Sequence, residues 1–131
     1  LSSFYNELID DVLFVKADFG LKPKYNSESR IFNKKLGGGS LLDIGIYPIY
    51  ISLLALGLPS DIKAMASITP TGVDGFCAML FNYENEAKAI LESTIEANTP
   101  TEAYIYGTNG KLKLHSRFHY SENLYPPTKK D

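Results

Sequence analysis

The sequence has no tryptophan, one cysteine, two methionines and two histidines in 131 residues. A lone Cys77 has no partner within the chain, so no internal disulfide can staple the fold. It lies in the apolar run Phe76–Phe81, where a buried, inert thiol is expected. Nothing in this cysteine usage asks for an oxidising compartment, and a cytoplasmic location is expected. The two histidines, His115 and His119, have no cysteine nearby and no carboxylate at metal-ligand spacing, so no metal site is expected. Charge of one sign is also lacking. Thirteen basic and fifteen acidic residues leave a net charge of −2, which argues against nucleic acid or an anionic membrane as partner. No uninterrupted run reaches the roughly 18 apolar residues of a membrane span; the longest candidate is broken by Asp43, Gly45 and Pro48. No signal peptide, internal repeat, G-x-G-x-x-G or Gly-Lys-Ser/Thr occurs. The chain starts at Leu1 rather than Met, which reads as a fragment or a processed piece.

What is present is ordinary in bulk and unusual in one place. Hydrophobic residues make up 44% and charged residues 21%, as in a single globular domain spanning residues 1–131. The unusual stretch is Gly37-Gly38-Gly39-Ser40-Leu41-Leu42-Asp43-Ile44-Gly45-Ile46-Tyr47-Pro48-Ile49-Tyr50. The glycines permit a sharp entry, Ser40 is a candidate N-cap, and Asp43 three residues on completes a capping-box pattern. Apolar residues continue to Leu56, with Gly57 as stop and Pro59 beyond. These signals predict a helix from about Leu41 to Leu56. Asp43 and Tyr47 are four apart and share a face, with Tyr50 at i+7 on the same side. Asp43 could serve as a helix cap only, and Tyr47 as a core tyrosine only. Gly45 and Pro48 fit neither reading well, since both are poor helix-interior residues. They suggest a close approach to the backbone and a kink, and such local violations gather at functional sites.

The rest reads as a short helix followed by strands. Ser2 or Ser3 caps a helix over Phe4 to Asp10. Val12 to Phe19 alternates, with Leu13, Val15, Ala17 and Phe19 on the buried face. Residues 21–36 form a long polar loop, in which Arg30, Lys34 and Lys35 bring positive charge just ahead of the glycines. This charge is either solvated or placed to reach a hydroxyl, carboxylate or phosphate. Ile62 to Ile68 alternates. The continuous apolar run Phe76–Phe81 predicts a central strand covered on both faces. Ala87 to Ala97 and Ala103 to Tyr106 alternate, and Asn109-Gly110 is a strong hairpin signal. Strands joined by short turns, with helices only in the first half, predict an α+β fold: a largely antiparallel open sheet with helices packed on one face. The other face, carrying Lys88, Glu92, Glu96, Tyr104 and Tyr106, is left without a covering layer.

The run GGGSLLDIGIYPIYISLLALG resembles the signature of the glucose–fructose oxidoreductase, inositol dehydrogenase and rhizopine-catabolism (Gfo/Idh/MocA) family. The triple glycine, Asp43, Gly45, Tyr47 and Gly57 all fall in register with it. Ala17-Asp18-Phe19-Gly20 and the hairpin at 107–112 also resemble that family's C-terminal domain, so the likeness runs over roughly Leu1 to Leu114. It implies the family's ferredoxin- and dihydrodipicolinate-reductase-like sheet fold. It implies an oxidoreductase acting on the CH-OH group of a sugar, polyol or related diol. NAD or NADP would be bound mainly by an N-terminal Rossmann domain that this chain lacks. It implies that Asp43 orients substrate or a catalytic lysine of the first domain, that Tyr47 takes the acid/base position, and that Arg30, Lys35 and Tyr50 are candidates for substrate binding. Tyrosine in place of histidine at 47 resembles the sugar oxidoreductase and dihydrodiol dehydrogenase branches. A tyrosine hydroxyl is a poor base at neutral pH unless a cation stabilises the phenolate. In the reducing direction it needs only to donate its proton. The resemblance also implies a homodimer or homotetramer through the open sheet face. The alternative reading is a non-catalytic dimerisation or ligand-binding module derived from such a domain.

Overall fold

The computed structural model describes residues 11–114. The helix expected over Phe4 to Asp10 and the tail containing His115 and His119 lie outside the described residues. Six strands form one sheet. They are β1 (Val12–Gly20), β2 (Asp61–Ile68), β3 (Asp74–Asn82), β4 (Lys88–Thr94), β5 (Ala103–Gly107) and β6 (Gly110–Leu114), in the spatial order β2-β3-β4-β1-β5-β6. Four of the pairings are antiparallel. The exception is β1 with β4, which run parallel, Val15 opposite Ala89 and Ala17 opposite Leu91. The largely antiparallel sheet is therefore present, with β1 inserted into its middle as a parallel strand. One helix, α1 (Ile46–Leu56), packs on β1, β4 and β5.

Alternation decides which side chains α1 covers. Val15 and Ala17 on β1, Ala89 and Leu91 on β4, Cys77, Met79 and Phe81 on β3, and Ile105 on β5 are buried together with Ile51 of the helix. Each large apolar side chain so buried contributes roughly 1.5–3 kcal/mol. A second, smaller core lies at the far end of the helix, where Phe19, Phe32, Ile44 and Ile95 meet, with Tyr47 packed beside them.

Several expectations are corrected. Leu13, expected on the buried face of β1, is 49% exposed, because the pairing with β5 is irregular between Val12 and Phe14 and Val12, not Leu13, packs against the core there. β3 is not covered on both faces. Its Cys77 face is buried, but Leu80 on the opposite face is open, since the described residues supply no second layer there. All eight residues of β2 are exposed, which fits an edge strand. The predicted helix is divided. Leu41–Gly45 forms a π-helical turn, and the α-helix begins only at Ile46. Pro48 explains the break: it cannot donate to the ladder, and such gaps are accommodated by widened turns. The most apolar 18-residue window within 34–56 has a mean hydropathy of 1.6, so by length and composition this stretch is apolar enough to cross a membrane, contrary to the reading above. Its continuous α-helix is nevertheless only 11 residues. That is about 16 Å, half of a bilayer's hydrocarbon core, and its buried face lies on the sheet.

Candidate active site

The site is built around the π turn. Residues 30–33 form a tight turn on which the glycine loop rests. Gly38 N–H donates to the Asn33 carbonyl at 3.0 Å, and Gly39 N–H to the Ile31 carbonyl at 2.8 Å. A side chain at Gly38 would come within 2.5 Å of the Arg30 and Ile31 carbonyls. Gly39, at φ +112°, has the Asp74 carboxylate where a Cβ would stand, 2.3 Å away. The loop's inner surface is thus filled by the protein's own carbonyl and carboxylate oxygens. A nucleotide phosphate, itself anionic, does not fit there.

Ser40 does not cap the helix, which corrects the capping-box expectation. It is helical itself, at φ −68° and ψ −39°, and its side chain makes no cap hydrogen bond. The hydroxyl instead donates to Asp74 Oδ2 at 2.8 Å, and the Leu41 N–H donates to the same oxygen at 2.8 Å. The cap is therefore supplied from β3, 33 residues further along the chain. With its one proton committed to that carboxylate, Ser40 Oγ accepts from Ser93 Oγ at 3.1 Å. Ser40 and Ser93 are fully buried. Gly45 is needed for the same packing, because a Cβ there would meet Ser93 Oγ at 3.0 Å and Leu41 Cδ1 at 3.1 Å. This is the close approach that its presence suggested.

Asp43, free of any capping duty, is engaged by Arg30. The Arg30 guanidinium donates to Asp43 Oδ1, the arginine side chain being 60% exposed and the aspartate 16%. Two predicted site residues are thus brought together by the glycine loop folding back over the 30–33 turn. Tyr47, one helical turn on, is half-buried, its ring tilted 32° against Phe19 at 5.5 Å between centroids. Lys35 and Tyr50 are exposed, and among the described residues neither is joined to Asp43. Sequence reasoning missed Asp74, Ser93 and the π turn. The only signal was indirect: Gly45 and Pro48 mark an irregular helix start, and nothing local marks Asp74. Among the described residues no group of three His, Cys, Asp or Glu side chains could hold a metal ion.

Asp18, the other motif aspartate, is spent on structure. Its carboxylate accepts from the Thr101 N–H at 3.0 Å, the Glu102 N–H at 3.0 Å and the Thr99 hydroxyl, fastening the β4–β5 connection, where Thr101 has φ +57°. On the uncovered sheet face a cavity of about 460 Å³ is bordered by Lys16, Glu92, Glu102, Tyr104 and Tyr106. Phe14 stacks on Tyr106 at 4.5 Å, and Tyr104 on Tyr106 at 5.7 Å.

With this geometry in hand, comparison with known proteins is informative. A family model described as GFO/IDH/MocA C-terminal domain matches residues 6–113. A trans-1,2-dihydrobenzene-1,2-diol dehydrogenase from Xenopus tropicalis is 36% identical over 110 residues, which is 82% of this chain and 33% of that protein. A scyllo-inositol 2-dehydrogenase (NADP(+)) from Bacillus subtilis is 34% identical over 84 residues, 63% of this chain and 25% of that protein. Among solved structures, an aldose-aldose oxidoreductase from Caulobacter crescentus, complexed with glycerol, superposes with a TM-score of 0.76 at 24% identity, covering 86% of this chain and 35% of that one. The chain spans about a third of the length of the dihydrodiol dehydrogenase it matches.

Proposed function

The chain belongs to the GFO/IDH/MocA family, as its C-terminal domain, and from that premise we propose that it is the substrate-binding half of an NAD(P)-dependent oxidoreductase. The proposed substrate carries a CH-OH group, as in a sugar, polyol or vicinal diol. The observation that carries this reading is Asp43 set on a π turn and paired with Arg30, with Tyr47 four residues on at the start of the helix. π turns often mark functional sites.

Oxidation of a carbinol removes a hydride from carbon and a proton from oxygen. Tyr47 is the proposed group that exchanges this proton with the substrate oxygen, giving it up in the reducing direction. Asp43 is the proposed orienting acceptor, hydrogen-bonded by a substrate hydroxyl or by a lysine of the first domain. Arg30 holds Asp43 in place and carries the balancing positive charge. The nicotinamide nucleotide, when bound, supplies the hydride chemistry. The described residues offer it no phosphate cradle, so its proposed seat is an N-terminal domain of the whole protein. NADP is favoured by the inositol dehydrogenase likeness, whose name specifies it.

The open sheet face is proposed to join copies into a dimer or tetramer. Its aromatic row of Phe14, Tyr104 and Tyr106, rimmed by Lys16, Glu92 and Glu102, has the make-up of an interface core with a polar border. That same face is what favours the second reading, a non-catalytic assembly module. A cytoplasmic location is proposed, in keeping with a single buried cysteine.

The test is an NADP⁺-reduction assay of the full-length protein against vicinal diols, inositols and aldoses. Turnover with one of these classes, falling at least tenfold in Asp43→Asn, supports the enzyme. A full-length protein inactive on all three with both NAD⁺ and NADP⁺ leaves the assembly module.

A further inference from the structure

We propose that Asp74 is a positioning residue for the reaction, the group that sets the place of the π turn and hence of Asp43. This rests on the functional reading above. Three independent features meet at its carboxylate. It accepts both the Leu41 N–H and the Ser40 hydroxyl on one oxygen, each at 2.8 Å. Its other oxygen fills the space beside Gly39, where a Cβ would stand 2.3 Å away. Through Ser40 it is linked to Ser93, against which Gly45 packs.

The π turn Leu41–Gly45 is thus held at both ends by one part-buried polar network, and Asp43 sits at its centre. The Asp43 N–H donates to the Gly39 carbonyl at 3.1 Å, so the backbone bearing the site carboxylate hangs from the residue that Asp74 packs against. A carboxylate suits this duty in a way that its amide does not. Both donors converge on one oxygen, and hydrogen bonds to an ionised acceptor are roughly twice as strong as neutral ones. Asparagine would retain one acceptor oxygen of the same shape, but a neutral one, and would turn an NH₂ toward Gly39 in place of the second oxygen. Arg30 touches Asp43 from the solvent side; Asp74 acts from the sheet side. The site carboxylate is thereby fixed between an exposed cation and a half-buried anion, and only the second is anchored on a strand.

The experiment compares wild type, Asp74→Asn and Ser40→Ala in the full-length protein, with Asp18→Asn as a control for general destabilisation. Hydrogen exchange of the amides at 41–45 is read alongside kcat, KM and Tm. The expected result for Asp74→Asn is exchange at 41–45 faster by about tenfold or more, kcat lower by about 10- to 100-fold and KM within about threefold. This follows because small misplacements of reacting groups fall on turnover. Ser40→Ala should show the same pattern more weakly. Asp18→Asn should lower Tm with kcat unchanged at 25 °C. Unchanged exchange at 41–45 in Asp74→Asn overturns the proposal. So does faster exchange with kcat intact, or an equal fall in kcat in Asp18→Asn. Wild-type protein that itself fails to turn over defeats the functional reading and this inference with it. That failure is told apart from failure of the inference alone because it precedes any substitution.

Discussion

Asp18 offers the sharpest test of how this fold is fastened. Replacing it with alanine removes one carboxylate and leaves two backbone donors, the Thr101 and Glu102 N–H groups, together with the Thr99 hydroxyl, without their acceptor. An orphaned, partly buried N–H costs about 1–3 kcal/mol. Asp18 is half-buried and borders the cavity on the open face, so water can reach part of the site, and the lower half of that range applies to each. Taken over the Thr101 and Glu102 N–H groups, this gives a total of about 2–4 kcal/mol. That is a large part of the 5–15 kcal/mol typical of a domain. At about 2.1 cal/mol/K per residue, a chain this size loses roughly 7–15 °C in Tm. Asp18→Asn keeps one acceptor oxygen and should lose about half as much. Urea unfolding followed by circular dichroism gives both numbers, with an unchanged slope showing that the same surface is exposed on unfolding. A Tm for Asp18→Ala within about 2 °C of wild type, where structure-free surface substitutions fall, would show that the connection is held by something other than this carboxylate.

Other predictions follow from charge and from surfaces. Burial, and secondarily the nearby Asp74 charge, pushes the Cys77 thiol up; burial pushes the Tyr83 hydroxyl up against an opposing Ser52 hydrogen bond. In both cases the folded state binds the proton more tightly. Their stabilisation is fully present below the unfolded values, about 8.5 and 10, and is lost as pH rises from there through the raised folded values. Stability should therefore fall as pH rises above about 8.5, with a smaller fall in Cys77→Ala; a rise over that range would contradict the burial of both groups. The chain by itself should bind NADPH no tighter than about 10 μM by calorimetry, since its glycine loop is filled by protein oxygens; a tighter site would mean that phosphate is recognised here after all. Association through the open sheet should bury about 1,200 Å² or more. Sedimentation equilibrium should show Tyr104→Glu together with Tyr106→Glu shifting the protein to monomer, and an assembly indifferent to both changes would show that this face is merely wet.

Much of the architecture was legible from periodicity. The alternation expected over Ala87 to Ala97 is present along most of β4, where Ala89, Leu91 and Ser93 are buried and Ile90 and Glu92 exposed. The hairpin at Asn109-Gly110 is present, with Gly107 paired to Gly110 so that Thr108 and Asn109 form its tip. The parallel placement of β1 beside β4 was not legible. Alternation reports which face a residue takes and carries no information about neighbours, and chain order suggested an antiparallel partner. The continuous apolar run of β3 predicts cover on both faces, but an open sheet face can carry the same composition, so the run alone does not distinguish the two. At the site, the anomaly of Gly45 and Pro48 could be read directly, because both are poor helix-interior residues, and it marks the stretch that carries Asp43 and Tyr47. Asp74 could not. Its role depends on β3 passing beneath the glycine loop, a long-range contact without local signature. The capping role expected of Ser40 fails for the same reason: the Asp74 carboxylate, brought in by a distant strand, accepts from the Leu41 N–H and from the Ser40 hydroxyl itself.

The central claim, that Tyr47 handles the substrate proton on a surface organised by the π turn, is most directly tested by steady-state kinetics of Tyr47→Phe in the full-length protein. Phenylalanine preserves the ring against Phe19 and deletes only the hydroxyl. The account predicts kcat lower by about 10²- to 10⁴-fold, the range of a positioned acid/base, with Tm and KM little changed. A Tyr47→Phe enzyme within twofold of wild type would make Tyr47 a packing residue and contradict the account.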